Sequence, residues 1–171
     1  MCIRDRTQSV FTSAEVGYKN AYYLTLTGRN DWPSQLAGPN SKQSSFFYPS
    51  VGTSILLSEI FNLPESISYL KLRASWASVG LPFGRFLANP TFEWDFSTGA
   101  YKSQAAYPLY ELKPERTESW EVGLTARFLK YFNFDVSFYN TKTYNQTVDA
   151  QLSPTGGYNK FYAQTGEVRN R

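Results

Sequence analysis

Three glutamates set close together, Glu115, Glu118 and Glu121, are the nearest this sequence comes to a catalytic group. Two carboxyls at the right separation hydrolyse glycosidic bonds, one protonating the leaving oxygen while the other attacks or activates water. The surroundings argue against that use. Glu121 lies inside "SWEVGLTARF", where Trp120, Val122, Leu124, Ala126 and Phe128 alternate with Ser119, Glu121, Gly123, Thr125 and Arg127. That period of two belongs to a β-strand with one apolar and one polar face. Glu121 is then a polar wall residue, and Glu115 and Glu118 fall at the strand entry, where carboxylates are solvated. The chain has no His and a single Cys, Cys2. Histidine acid–base catalysis, catalytic triads, the usual zinc sites and an intrachain disulfide framework are therefore all excluded. "PTGGYNK" lacks the spacing of a phosphate-binding loop, and no cofactor motif is present.

What remains is recognition chemistry. Trp32, Phe92, Trp94, Tyr101 and Tyr107 stand in polar connecting stretches with Asp31, Glu93 and Asp95 nearby. A flat ring beside hydrogen-bonding side chains suits a sugar, which has apolar CH faces and many hydroxyls. Trp94, flanked by Glu93 and Asp95, is the first candidate for gripping substrate, with Trp32 and Tyr101 beside it. The competing reading is that these rings pack within the loops or against a lid protein. The carboxylates disfavour phosphate ligands. Nucleic acid is not an expected partner, since the net charge of +3 comes from scattered basic residues with no clustered patch.

The elements that must position these side chains are strands. Six alternating segments can be read: Val10 to Tyr18, Ala21 to Arg29, Phe47 to Leu57, Ser68 to Ser78, Ser119 to Phe128 and Phe132 to Tyr139. In the fourth, Leu70, Leu72, Ala74 and Trp76 oppose Lys71, Arg73 and Ser75. In the sixth, Phe132, Phe134, Val136 and Phe138 oppose Asn133, Asp135 and Ser137. Mean hydropathy is −0.43, and no run approaches the roughly 18 apolar residues of a spanning helix. A transmembrane barrel escapes that test, because only every second residue faces lipid.

Short connections (around 19–20, 58–67 and 129–131) alternate with long polar ones (around 30–46, 80–113 and 140–164). Outer-membrane barrels keep short turns at one rim and long loops at the other. Aromatic residues mark both rims: Trp76 and Trp120 on the long-loop side, Tyr18, Tyr22, Phe128, Tyr131 and Phe132 on the short-turn side, as interfacial girdles require. The eight steps from Trp120 to Phe128, tilted about 40°, cover roughly 20 Å, near the ~25 Å apolar band of such barrels. The apolar face is then expected to meet outer-membrane lipid and the polar face, with Arg29, Lys71, Arg73, Glu121, Arg127 and Asp135, to line the lumen. The expected fold is all-β: an antiparallel up-and-down transmembrane β-barrel, here an incomplete arc of about six to seven strands. We read residues 1–8, with the opening "MCIRDR", as an extraneous leader and 9–171 as part of the barrel wall. A passive porin-like barrel and a soluble β-sandwich carbohydrate-binding module remain open on pattern alone.

Several stretches in order resemble one family. "RNDW", "SFFYPSVGTSILLSE", "ISYLKLRASWASVG", "LKPERTESWEVGLTARF", "DVSFYNTKTYNQTV" and "SPTGGYNKFYAQTGEVRN" are similar to the barrel of SusC/RagA-type TonB-dependent transporters, from about Asn20 onward. The resemblance implies a 22-stranded outer-membrane barrel of a Bacteroidetes-type bacterium that imports oligosaccharides, or in some members peptides. It further implies energy supplied through TonB, a SusD-like lipoprotein over the mouth, and no enzymatic turnover. The family's TonB box, plug domain and early strands have no counterpart in these residues, so no residue is assigned to contact TonB or a plug.

Overall fold

The computed structural model describes residues 6–37, 43–82, 84, 87, 94–102, 106–107, 113–129, 131–153 and 158–171. Seven strands form one antiparallel sheet: β1 (Thr7–Tyr18), β2 (Tyr22–Pro33), β3 (Phe46–Leu56), β4 (Ile67–Leu81), β7 (Glu115–Phe128), β8 (Phe132–Gln151) and β9 (Lys160–Asn170). Their order in the sheet is their order in the chain, and two short strands, β5 (Trp94–Asp95) and β6 (Ala100–Tyr101), pair separately between β4 and β7. This is an up-and-down meander, open at β1 and β9.

Tight turns join the strands at one end. Lys19 and Asn20 both take positive φ, 52° and 51°, and Ala21 N–H donates to the Tyr18 carbonyl. Two successive left-handed residues make the primed turn whose twist matches that of the flanking strands. At the β7–β8 turn Leu129 has φ 47° and Tyr131 N–H donates to the Phe128 carbonyl. A single-turn helix, α1 (Leu57–Ile60), lies in the β3–β4 connection.

Register shows that the strands are staggered. One row of paired residues runs Tyr22, Ile55, Leu72, Leu124, Val136 across β2, β3, β4, β7 and β8. Tyr22 opens β2 beside its turn, whereas Leu124 in the same row precedes the end of β7 at Phe128 by 128 − 124 = 4 residues. The turn-side rim therefore slides along the row, the stagger that tilted strands need in order to close a barrel.

The same rows gather one apolar face. Val51, Trp76 and Trp120 follow one another, as do Thr53, Ala74, Val122 and Phe138. Trp76, Trp120, Val122, Leu124, Phe134 and Phe138 are between 38% and 71% exposed. Among the described residues no second sheet covers them. A contiguous uncovered apolar face running over β4, β7 and β8 marks a surface made to meet something other than water. It is the surface a barrel turns to hydrocarbon, and it contradicts the sandwich alternative, which needs those side chains in a dry centre. The small buried cluster lies elsewhere: Leu36 and Phe46, with Tyr48 and Leu87 against them, at the long-loop end of the sheet.

Several strands run further toward the long-loop end than alternation indicates. β2 continues to Pro33, β4 to Leu81, β7 begins at Glu115 and β8 extends to Gln151. The expected long connection from Asn140 to Gln164 is therefore mostly a projecting hairpin, with β9 beginning at Lys160. Above Trp76 and Trp120 the apolar face itself turns polar, with Ser78, Glu118 and Lys142 on it. Polar residues then stand on both faces, so the contrast that marks a strand disappears.

Candidate functional site

The aromatic candidates divide among separate places. The rings of Trp94 and Tyr101 come together, centroids 5.0 Å apart at 83°, edge to face, because Trp94 and Tyr101 are cross-strand partners in the β5–β6 hairpin. Asp95 ties the turn of that hairpin together. Its Oδ1 accepts from the Ser97 backbone N–H (2.9 Å) and Ser97 Oγ (2.6 Å), while Gly99, at φ +64°, donates its N–H to the Asp95 carbonyl (2.9 Å). Glycine takes that φ with no Cβ to clash. The Asp95 carboxyl is held below the usual carboxylate range by the Ser97 hydroxyl first and the Ser97 backbone N–H next. Trp94 and Tyr101 stay exposed, with Phe96 at the tip. The hairpin thus offers ring surface without spending it on a core. Asp95 serves as its structural cap.

Trp32 is not with them. It lies on β2, paired with Gln8, on the face that carries Leu24 and Leu26. Placing it in a loop is corrected by the extra length of β2. Glu93 and Phe92 lie outside the described residues. Tyr107 joins a second group, edge to face with Tyr158 at 5.2 Å and tilted against Phe161 at 6.3 Å. The Tyr107 N–H donates to the Lys160 carbonyl (2.8 Å), and Ala106 bridges Lys160, so this part of the β4–β7 connection is strapped to the start of β9. Gln164 adds a second strap. Its Oε1 accepts from Lys113 N–H (2.9 Å) and its Nε2 donates to the Lys113 carbonyl (2.6 Å).

The glutamates form no acid pair. With a period of two, Glu118 falls on the face opposite Glu115 and Glu121. Glu118 accepts from the Tyr144 hydroxyl (2.8 Å), Glu115 from Gln146 Nε2 (3.3 Å), and Glu121 lies 3.7 Å from Arg73 Nε.

Among the described residues, two charged groups on the polar face are hydrogen-bonded across several strands. Arg73 on β4 sends Nη1 and Nη2 to Asp135 on β8 (3.0 and 2.9 Å) and Nη2 to Ser137 Oγ (2.7 Å). Thr125 Oγ1 donates to the same carboxylate (2.7 Å). Toward the loop end, Arg29 Nε donates to Asp31 Oδ1 (2.7 Å), and Arg29 Nη2 to Ser9 Oγ (3.2 Å). Asp31 is among the few buried polar residues of the sheet, at 7% exposure. Sequence reasoning left this second group out, treating Arg29 as an ordinary wetted residue and Asp31 as a loop acid. The signal was available: residues two apart on a strand share a face, so Arg29 and Asp31 were bound to be neighbours once β2 reached them.

These features, a staggered meander, a bare apolar face and a networked polar face, are those of barrel wall. The family described as "TonB dependent receptor-like, beta-barrel" matches residues 3–171. The chain belongs to the TonB-dependent receptor β-barrel family. A curated member, TonB-dependent receptor P26 of Formosa agariphila, is 29% identical over 174 residues, covering 95% of this chain and 17% of that receptor. Among solved structures, the RagAB peptide importer in its open-open state aligns with TM-score 0.77 at 20% identity, over 95% of this chain and 18% of that one. The siderophore receptor PirA of Pseudomonas aeruginosa aligns with TM-score 0.64 at 14% identity, over 96% and 29%. The two solved structures share the fold with this chain. The chain spans under a fifth of the length of the curated receptor and of the RagAB chain. TonB-dependent receptors are outer-membrane proteins, and the family consists of transporters rather than enzymes.

Proposed function

We propose that the protein carrying this chain imports an oligosaccharide or a peptide across the outer membrane by TonB-coupled active uptake, with a SusD-like lipoprotein at its mouth. The observation that carries the reading is the pairing of a bare apolar face, from Trp76 and Trp120 down to Phe134, with a polar face built of hydrogen-bonded charges. Such a wall separates hydrocarbon from a wet lumen. The family match supports energised transport, and the likeness to RagAB supports the SusC/RagA subdivision and with it the lipoprotein partner.

The Trp94–Tyr101 pair, with Asp95 holding the turn and Glu93 preceding it, forms the ring platform for substrate on this reading. An exposed indole edge-packed by a tyrosine keeps one flat face for the CH side of a sugar or for an apolar peptide side chain. The test is uptake of labelled oligosaccharides and peptides by cells expressing the intact receptor, with and without the inner-membrane proton gradient. Accumulation that stops on collapse of the gradient is expected. Accumulation that continues unchanged would mean a passive pore.

A further inference from the structure

Arg29 is built as a binding group rather than as a simple wall charge. Its partner Asp31 is buried, with 10% of the side chain exposed, while the Arg29 side chain is 54% exposed. Asp31 holds the Nε edge, Ser9 holds Nη2 from β1, and the Tyr48 hydroxyl on β3 hydrogen-bonds Asp31. Three strands thus fix one guanidinium in orientation with its remaining surface outward. It faces a depression of about 420 Å³ lined by Thr27, Arg29, Asp31, Tyr48, Ser50 and Val79, among others. Thr27 and Ser50, cross-strand partners, bring their hydroxyls within 2.6 Å on its floor, and Val79 supplies an apolar side. All of these lie on the lumenal face, toward the long-loop end.

A guanidinium whose one edge is anchored by a carboxylate presents a planar, pre-oriented donor set, which suits a second carboxylate better than it suits neutral groups. The neighbouring hydroxyls match the hydroxyls or amides around it. The volume is that of a small-molecule subsite, enough for one residue of an oligomer. We propose that this depression is a subsite for a carboxylate-bearing residue of the transported solute, a uronic-acid unit of an oligosaccharide or the free C-terminus of a peptide. The inference rests on the uptake reading above and narrows its substrate class to anionic oligomers.

The test uses the intact receptor, purified in detergent. Binding is measured for an oligogalacturonide against its methyl ester, and for a tripeptide against its C-terminal amide. A carboxylate preference of about tenfold or more in one pair is expected, the pair identifying the source, and Arg29→Gln should abolish it. Arg29→Lys keeps the charge but loses the fork, and should retain only part of the preference. Heat-modifiable migration on gels confirms that each variant is folded. Should the charged and neutral forms bind alike, or neither bind, or the preference survive Arg29→Gln, the proposal is overturned. It is equally overturned if Arg29→Gln only lowers the melting temperature, because Arg29 then packs against another part of the protein. Gradient-dependent uptake is read separately in the same variants. Persistence of energised uptake without a carboxylate preference sinks this inference alone, whereas a preference without energised uptake sinks the transport reading alone.

Discussion

The Arg73 guanidinium crosses the backbone of β7 at Gly123 and reaches Asp135 on β8, Nη2 to Oδ1 at 2.9 Å. The crossing depends on the missing side chain, since a Cβ on Gly123 would stand 2.5 Å from Arg73 Nε and 3.0 Å from Cγ. We expect Gly123→Ala to displace the guanidinium, and Gly123→Val to break its contact with Asp135. Both should lower the temperature at which the folded, heat-modifiable band of the intact receptor is lost, valine by more. Equal melting of Gly123→Val and the parent would mean that the three-strand tie contributes nothing.

The two faces should differ sharply in tolerance to charge. Val122→Arg or Leu124→Arg puts a guanidinium on the apolar face, at a cost of about 2–4 kcal/mol near the bilayer midplane. Ser75→Arg puts the same group on the polar face one strand away. The folded fraction in lipid vesicles across a denaturant series should fall for the first two and stay near the parent for the third. A reversed order would assign the faces wrongly.

The Asp95 cap has a direction in pH. Its carboxyl is held below the usual range by the Ser97 hydroxyl and then the Ser97 N–H. A depressed folded-state pKa contributes stability to the turn that is present above the unfolded value and lost as pH falls through the folded one. The Trp94 emission, taken as the difference between the parent and Trp94→Phe, should therefore hold steady through the ordinary aspartate range near 3.9 and change only below it. Asp95→Asn should remove the transition. A change centred in the ordinary range would show the cap unformed.

Trp94→Ala removes the ring offered to substrate. Where the ring pair contributes the roughly 0.5–1.5 kcal/mol usual for aromatic contacts, affinity should fall by a few-fold to about tenfold. Tyr101→Ala should act in the same direction by freeing the indole. Titration of the purified intact receptor with its substrate measures both. Unchanged affinity in Trp94→Ala would leave the hairpin a purely structural feature.

The faces of the wall were legible in the sequence because lipid on one side and water on the other write a period of two, and Trp76, Val122, Leu124 and Phe138 stand where that period puts them. The strand ends were not. Beyond the tryptophans both faces carry polar residues, so Asn140 to Gln151 and Trp32 read as loop although they are strand. The Arg29–Asp31 pair was hidden for the same reason, its strand having been ended at Arg29. The Trp94–Tyr101 contact needed a hairpin only two residues deep on each side, too short for any periodicity to register.

The central claim is that the apolar face lies in hydrocarbon. It is tested most directly by nitroxide labels placed at Val122 and at Ser75 of the intact receptor in bilayers, read by collisional relaxation with oxygen and with a water-soluble nickel chelate. We predict that the Val122 label collides with oxygen and not nickel, and that the Ser75 label is little reached by oxygen from the lipid. A Val122 label shielded from oxygen as completely as a core residue would contradict the account.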